Sequence, residues 1–196
     1  MLVLTLAAAI GCGTGEKAQE KEYAGEKEYI SEPIVTEKLT ESTVEIGSAT
    51  TPLLDRSKTR INNIKVACEN LNNLEIKPGE EFSFNGELGK RTKAKGYKKA
   101  PVIIRTEDGP KKGYGTGGGI CQVSSTLFNA VDNAGLKVTE RHSHSRRVGY
   151  VEKGRDAAVV YGKKDFKFVN TRPNPVTIKT YLEEDSLTIK IFENRR

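Results

Sequence analysis

The sequence is poor in the residues that build large hydrophobic cores. Its 196 residues include no Trp and one Met, and hydrophobic residues make up 36% of the chain. A chain of this length forms one domain of ordinary size with a tail, which excludes two full domains. The apolar residues between positions 50 and 192 nevertheless recur at helix and strand spacings. This pattern excludes disorder of the whole chain.

Cysteine and histidine are also scarce, so each can be considered singly. The chain has three cysteines (Cys12, Cys68 and Cys121) and two histidines (His142 and His144). Cys68 falls on an apolar helical stripe, which predicts a small buried side chain without a chemical role. The other two cysteines lie in segments of a different kind.

The uncharged apolar run at residues 1–11 is too short to span a bilayer. A short apolar run that ends in small residues is typical of a secretory signal peptide. Its junction with Cys12 resembles a bacterial lipobox, which implies cleavage before Cys12 and a lipid on that residue. The alternative is an ordinary signal peptide followed by a chance cysteine.

Residues 12–46 are predicted to be a lipid-anchored flexible tether, because they have no sustained apolar period. Nine Glu and four Lys between positions 16 and 46 leave a net charge of +11 on residues 47–196, the predicted domain. A basic domain favours an anionic partner. The predicted signal places that partner outside the cell membrane, so peptidoglycan or an anionic wall polymer is favoured and nucleic acid is not. We also expect membrane attachment through lipidated Cys12. The sequence predicts no oligomeric state.

Hydrophobic periodicity predicts an α+β fold, with a mostly antiparallel sheet and two or three packed helices. Asp55 or Ser57 is the expected N-cap of a helix that buries Ile61, Ile64, Cys68 and Leu71. Alternation predicts a strand through Phe82 and Phe84, and a β-hairpin over residues 176–192 with its turn at residues 183–185. The six basic residues between positions 90 and 99 are interpreted as a solvated face.

The most informative segment begins with three consecutive glycines, Gly117, Gly118 and Gly119. Such a run needs a local reason, such as positive φ or a close backbone approach. Apolar residues after it predict a helix that ends at Gly135 and carries Cys121 in its first turn. The helix dipole and the free N–H groups there favour a thiolate. A buried thiol, or a disulfide with Cys68, is the alternative.

Both histidines fall on a predicted strand at residues 136–145, and Asp156 heads a second predicted strand. A helix that opens with Cys and is followed by His and Asp strands resembles papain-like and transglutaminase-like enzymes. Either histidine is a candidate base. The same residues could instead hold a metal ion. Thiol chemistry is favoured because the glycine loop supplies backbone donors for an oxyanion.

These patterns define a predicted site. We expect Cys121 to be the nucleophile, His144 the preferred base with His142 in reserve, and Asp156 the residue that orients the imidazole. Gln122 and nearby backbone N–H groups are candidate oxyanion donors, and the three glycines are candidate substrate contacts. We predict neither a cofactor nor a metal.

Seven segments together resemble the VanW family, named from vancomycin-resistance gene clusters. They are RINNIKVACENLN (60–72), KPGEEFSFN (77–85), GKRTKAKGYKKAPVI (89–103), GGGICQVSSTLFNA (117–130), ERHSHS (140–145), GRDAAV (154–159) and FKFVN (166–170). The resemblance covers residues 50–192. It implies a bacterial cell-envelope protein and leaves the reaction open.

Two classes of function follow from these observations. The first is a thiol enzyme, a cysteine peptidase or transpeptidase, that acts on peptide or amide bonds of peptidoglycan. The second is a non-catalytic wall-binding or accessory module linked to the glycopeptide response. The expected location in both cases is the outer face of the bacterial cell membrane.

The lipobox resemblance generates the first testable prediction. Replacing Cys12 with Ala in a bacterial host should move the protein from the membrane fraction to the medium, or leave the precursor unprocessed, because the acceptor of the lipid is lost. Cys68→Ala is the matched control and should fractionate like the wild type. The prediction fails if the Cys12 variant still sediments with membranes and mass spectrometry finds no lipid on the wild type.

Overall fold

The computed structural model describes residues 43–106 and 109–195. The predicted signal peptide, Cys12 and nearly all of the predicted tether lie outside these residues. The elements in chain order are β1 (Thr43–Pro52), α1 (Lys58–Leu71), β2 (Leu74–Ile76), β3 (Glu81–Ser83), α2 (Phe84–Leu88), a 3₁₀ turn (Lys93–Lys95), β4 (Lys99–Thr106), β5 (Gly109–Thr116), α3 (Ile120–Asn133), β6 (Lys137–Glu140), β7 (Lys167–Val169), β8 (Val176–Leu182) and β9 (Ser186–Asn194).

The largest sheet of the described chain is antiparallel, with strand order β1-β9-β8-β2. Its centre is the predicted hairpin, β8 and β9, whose turn lies at residues 183–185 as expected. Alternate side chains of β9 face the core, and Leu187, Ile189 and Ile191 are fully buried. Residues two apart lie on one face of a strand, so the sequence pattern identified the hairpin correctly.

Helices α1 and α3 contact each other and pack against this sheet, α1 against β8 and α3 against β1 and β9. The predicted stripe of α1, which comprises Ile61, Ile64, Cys68 and Leu71, is buried. Ser57 is the N-cap of α1, and Asp55 accepts a hydrogen bond from its backbone N–H at 3.0 Å. The prediction of an α+β fold with a mostly antiparallel sheet and two or three packed helices is confirmed.

Strand β1 corrects the predicted start of the domain. It begins at Thr43 and pairs with β9 as far as Pro52, with a shift of register between Glu45 and Gly47, so residues 43–46 belong to the sheet and not to the tether. Gly47 lies against α3 so closely that a Cβ atom on it would be 2.5 Å from both the Ala130 carbonyl oxygen and the Ala134 nitrogen. The sequence did not predict this strand, because its pairing partner lies at the other end of the chain.

A second sheet has the order β3-β7-β6, and β4 pairs with β5 as a separate hairpin. The predicted strand through Phe82 and Phe84 is wrong in its second half, because Phe84 begins α2. Ser83 ends the strand by capping this helix, where its hydroxyl accepts a hydrogen bond from the Gly86 N–H at 2.9 Å. Both phenylalanines are buried, so their burial was predicted correctly, but the strand periodicity assigned to Phe84 was not.

The predicted strand at residues 136–145 is correct only over residues 137–140 and does not reach the histidines, and the predicted Asp strand is wrong. Strand β6 ends at Glu140, and residues 141–159 have no regular strand. The partner strand β7 has only three residues, and the pairing of β6 with it shifts register between Val138 and Glu140. The backbone after Asp156 obtains its hydrogen bonds from side chains of α3 and from the His142 carbonyl, so it does not join a sheet.

None of the helices in residues 43–106 and 109–195 is both long enough and apolar enough to cross a membrane.

The contact between β1 and α3 generates a prediction about stability. Gly47→Ala should lower the free energy of unfolding by about 2 kcal/mol, because the added methyl group would overlap the α3 backbone and force the two elements apart. Ser48→Ala, one residue along the same strand, is the control and should cost much less. Urea unfolding of the two variants measures the difference, and equal stabilities would show that β1 is not packed in this way.

Candidate functional site

Cys121 is the second residue of α3, and the glycine loop (residues 117–119) leads directly into it. Gly117 and Gly119 have φ values of +88° and +108°, which side chains rarely adopt. A Cβ atom on Gly118 would be 2.6 Å from the Pro101 carbonyl oxygen. Both of the reasons expected for a glycine run, positive φ and close backbone approach, therefore hold. The loop fixes the start of α3 and with it the position of the thiol.

His144 and Asp156 form a close pair outside any strand. His144 Nδ1 lies 2.6 Å from Asp156 Oδ2, and the same oxygen accepts the backbone N–H of His144 at 2.7 Å. The side chains are largely buried, with exposed fractions of 13% and 11%. Two hydrogen bonds to one carboxylate oxygen fix both the position and the plane of the imidazole.

The Cys121 thiol completes a row of three groups, because its side chain hydrogen-bonds with His144. Asp156 occupies Nδ1, which leaves Nε2 as the ring nitrogen for the sulfur. The sulfur also lies 3.5 Å from the Val159 carbonyl oxygen. Cys68 is buried elsewhere in the core, and both cysteines are free, so the alternative of a disulfide between them is excluded.

The charges of the row favour a thiolate beside an imidazolium. Burial raises the pKa of the Cys121 thiol, but the hydrogen bond and charge of His144 and the charge of Arg91 lower it below its ordinary value. Burial lowers the pKa of His144, and its contacts with Cys121 and Asp156 raise it more, so the net pKa is raised. The hydrogen bonds from His144 hold the pKa of Asp156 below its ordinary value against the effect of burial.

The backbone around Asp156 is held by polar side chains of α3. Ser124 Oγ donates to the Ala157 carbonyl at 2.6 Å, and Ser125 Oγ accepts the Ala157 N–H at 2.9 Å. Asn129 Nδ2 donates to the carbonyl of Arg155 at 2.7 Å. Since Cys121 is on the same helix, one element positions both the thiol and the carboxylate.

The structure does not bring His142 to the thiol. Its Nε2 lies 2.9 Å from Glu140 Oε1, and 37% of its side chain is exposed. Hydrogen bonds from His142 and Lys167 lower the pKa of Glu140 to about 2. The two histidines therefore have different partners, because the segment that carries them is irregular and does not alternate as a strand would.

Gln122 also has a different environment from the one expected. Its side chain is 1% exposed, and its amide N–H groups donate to Thr51 Oγ1 at 3.1 Å and to the Pro52 carbonyl at 2.9 Å. Its carbonyl oxygen accepts a hydrogen bond from Arg60 Nη2 at 2.9 Å. The amide thus joins α1, β1 and α3.

Sequence reasoning missed three groups beside the row. Arg91 was included in a solvated basic face, yet it is half-buried and interacts with the thiol. Arg60 packs on Gly119, with its Cγ 3.1 Å from the position of a Cβ there. The Tyr150 hydroxyl bonds to Ser125 near the thiol, and burial raises the pKa of this tyrosine. The glycine run is the one sequence feature that could have indicated these neighbours, because glycines without side chains allow other chain segments to pack closely.

A groove of about 540 Å³ is lined by Tyr150 but not by Cys121, His144 or Asp156. Its lining includes Thr51 of β1, Asn129 of α3, and Arg147 and Glu152 from the segment that joins His144 to Asp156. The segment between His144 and Asp156 therefore also forms one wall of the groove. Within residues 43–106 and 109–195, no group of three or more His, Cys, Asp and Glu side chains is arranged to hold a metal ion.

The fold and the site define a class of protein, an α+β domain in which a helix-start cysteine faces a histidine–aspartate pair. The chain belongs to the VanW family, since it matches the family described as VanW like protein over residues 59–192. This confirms the family resemblance of the sequence and associates the chain with the cell envelope.

Two relatives align with most of the chain. The uncharacterized protein YoaR of Bacillus subtilis (strain 168) is 44% identical over 153 residues, which cover 78% of this chain and 49% of YoaR. The vancomycin B-type resistance protein VanW of Enterococcus faecalis (strain ATCC 700802 / V583) is 29% identical over 143 residues, which cover 70% of this chain and 50% of that protein. The chain thus spans about half the length of these curated relatives. No solved structure matches it.

The row of Cys121, His144 and Asp156 generates a prediction about thiol reactivity. Iodoacetamide should modify Cys121 much faster than Cys68, whose thiol pKa burial raises to about 12. A lowered thiol pKa keeps the thiolate populated at lower pH, so the rate of Cys121 modification should reach its midpoint below the ordinary value of about 8.5.

Substitution of the histidines tests the geometry of the row. His144→Ala should raise the midpoint because it removes the imidazolium, whereas His142→Ala is the control and should leave the midpoint unchanged. Mass spectrometry of the labelled peptides over a pH series measures both. A Cys121 that is as inert as Cys68 would contradict the row as described.

Proposed function

We propose that this protein is an extracytoplasmic thiol enzyme that cleaves or exchanges peptide or amide bonds of peptidoglycan. The observation that carries the proposal is the hydrogen-bonded row of Asp156, His144 and Cys121 at the start of a buried helix. A nucleophile, a base and a group that orients the base are the three parts that acyl transfer by a thiol requires.

In the proposed reaction, His144 Nε2 holds the thiol proton as the sulfur of Cys121 attacks a carbonyl carbon. A C–S bond forms and the carbonyl oxygen takes the negative charge. The C–N bond then breaks, and the leaving amine takes the proton from His144, which yields a thioester. Water or a second amine attacks the thioester and gives its proton to His144, and the thiolate leaves. Water makes the protein a peptidase or amidase, and an amine makes it a transpeptidase.

Backbone N–H groups at the start of α3 are the better candidates for stabilising the oxyanion. The first N–H groups of a helix have no acceptor within the helix, and that of Cys121 is among them. The side chain of Gln122 would first have to leave Thr51 and Pro52. In the proposal, therefore, Gln122 positions α3 and the glycine loop shapes the approach to the backbone donors.

The groove beside Tyr150 supports a charged peptide as the substrate. Arg147 and Glu152 line it, and neither forms an ion pair with another described residue. Arg155 also lines the groove but pairs with Asp132, so one cation and one carboxylate are left to meet a ligand that carries both signs of charge. The net charge of +11 on residues 47–196 would hold the domain near anionic wall polymers. Lipidation of Cys12 would attach it to the outer face of the membrane.

The second candidate function is a wall-binding or accessory module without turnover. It is favoured by the partial burial of Cys121, whose thiol donates a hydrogen bond to the Val159 carbonyl at 3.5 Å. In that case the row would serve as a buried polar network that joins α3 to residues 144–156. Binding of wall material without bond cleavage would distinguish this function from the first.

The test is incubation of the full chain with purified peptidoglycan, followed by mass spectrometry of the released or cross-linked peptides. The wild type should change the peptide pattern, and Cys121→Ser should abolish the change while the domain stays folded, because the hydroxyl has no accessible ionised form at neutral pH. Asp156→Asn should lower the rate by about a hundredfold or more, since the imidazole loses its orientation and its charge partner.

Cys68→Ala is the matched control and should retain activity, because Cys68 is buried away from the row. If the wild type binds the walls but leaves every bond intact, with the thiol reactive as described above, the accessory module is the correct function. If Cys121→Ser is as active as the wild type, the thiol mechanism is wrong.

A further inference from the structure

Arg91 differs from the other basic residues of its segment. The five lysines between positions 90 and 99 are exposed, whereas Arg91 is half-buried. Its side chain packs on the glycine loop, with its Cβ 3.1 Å from the position that a Cβ on Gly117 would occupy. The guanidinium carbon lies 5.5 Å from the ring centre of Phe84. The arginine is therefore packed between Phe84 and the glycine loop that leads into Cys121.

Neutral groups supply the hydrogen bonds of Arg91. Its Nη1 donates to Asn85 Oδ1 at 2.6 Å and to the Gly89 carbonyl at 3.0 Å. Its Nη2 is buried and has no hydrogen-bond partner among the described residues. Burial lowers the pKa of this half-buried guanidinium, so a negative charge close to it stabilises the folded chain.

The nearest carboxylate does not provide that charge by direct contact. Asp165 accepts hydrogen bonds from Ser83 Oγ at 2.6 Å and from the backbone N–H groups of Asn85 and Phe166, both at 2.8 Å. It forms no ion pair with Arg91 within the described chain. The Tyr97 hydroxyl also lies near the arginine, and burial raises its pKa, so it brings no negative charge. The Cys121 thiol is a further ionisable neighbour of Arg91, and the charge of the arginine lowers the pKa of this thiol.

We propose that Arg91 is the permanent counter-ion of the Cys121 thiolate. It acts through the sulfur and is therefore a positioning residue for the chemistry proposed above. Its consequence for turnover rests on the proposed function, but its effect on the charge of the thiol does not. An arginine keeps its proton over the whole working pH range, whereas an imidazolium loses its charge as the pH rises. Arg91 thus keeps the thiolate stabilised when His144 is neutral.

Other charged groups around the thiol have different partners. His144 faces the sulfur and is held by Asp156, and Tyr150 approaches from the segment between them. Arg60 packs against Gly119, whereas Arg91 packs against Gly117, and Arg60 hydrogen-bonds to Gln122. Removal of Arg91 should therefore raise the pKa of the thiol both in the wild type and in a His144→Ala background.

The test compares Arg91→Met with the wild type by the pH dependence of Cys121 alkylation on the free full-length protein. The midpoint should rise by about one pH unit, so that alkylation below the midpoint becomes about tenfold slower. Arg91→Lys keeps the charge and should restore most of the reactivity. Arg91→Gln is a second uncharged variant that retains an amide to reach Asn85, in case the Met variant does not fold.

Arg172→Met is the matched control, because Arg172 also has a buried N–H group without a partner but donates to the Ala134 carbonyl at the far end of α3. It should lower stability without moving the midpoint. An unchanged midpoint in a folded uncharged Arg91 variant would overturn the inference. A shifted midpoint in a protein that cleaves no peptidoglycan would reject only the proposed function, and an unshifted midpoint in a Cys121-dependent enzyme would reject only the role of Arg91.

Discussion

The packing of α3 in the centre of the domain is the constraint on which the site depends. This helix touches α1, β1, β9 and β6, and most of its residues are buried, including Ser124, Ser125 and Asn129. Buried hydroxyl and amide groups must find partners, and these three find the backbone of residues 155–157. The segment that carries Asp156 thus obtains from side chains of α3 the backbone hydrogen bonds that a neighbouring strand would otherwise supply.

This arrangement explains how a short irregular segment holds a fixed geometry. The carbonyl of Asp156 accepts a hydrogen bond from Arg141 at 2.7 Å, and the Ala158 N–H donates to the His142 carbonyl at 2.7 Å. Arg141 itself stacks on Phe128 of α3, with its guanidinium carbon 4.8 Å from the ring centre. The two chain segments that supply His144 and Asp156 are therefore tied to each other and to one helix, which limits their relative motion.

The charge distribution around the thiol comes from three parts of the chain. The N-terminus of α3 contributes a partial positive charge, and interactions with His144 and Arg91 lower the pKa of the thiol. Each opposes the burial of the sulfur, which on its own would favour the neutral thiol. Cys68 is more deeply buried than Cys121 and lacks these groups, and burial raises its pKa. The two cysteines thus differ in their neighbours as well as in their depth.

The sequence by itself determined the elements whose pattern is local. The stripe of α1, the hairpin of β8 and β9, and the start and end of α3 all follow from spacings of three, four or two residues and from glycines at helix ends. The types and the chain order of Cys121, His144 and Asp156 also identified them as candidate site residues, with His142 as the alternative base. These features depend on neighbours in sequence, and the family resemblance depends on the same motifs.

Only the tertiary structure decided which groups meet. The placement of His144 rather than His142 beside the thiol follows from the end of β6 and from Glu140, which takes His142. The pairing of β1 with β9 and the burial of Arg91 involve contacts between distant parts of the chain. A local pattern records whether a residue faces a core, but it does not record what lies opposite. For a charged or polar side chain, the group opposite fixes the protonation state, and it is set by the folded chain.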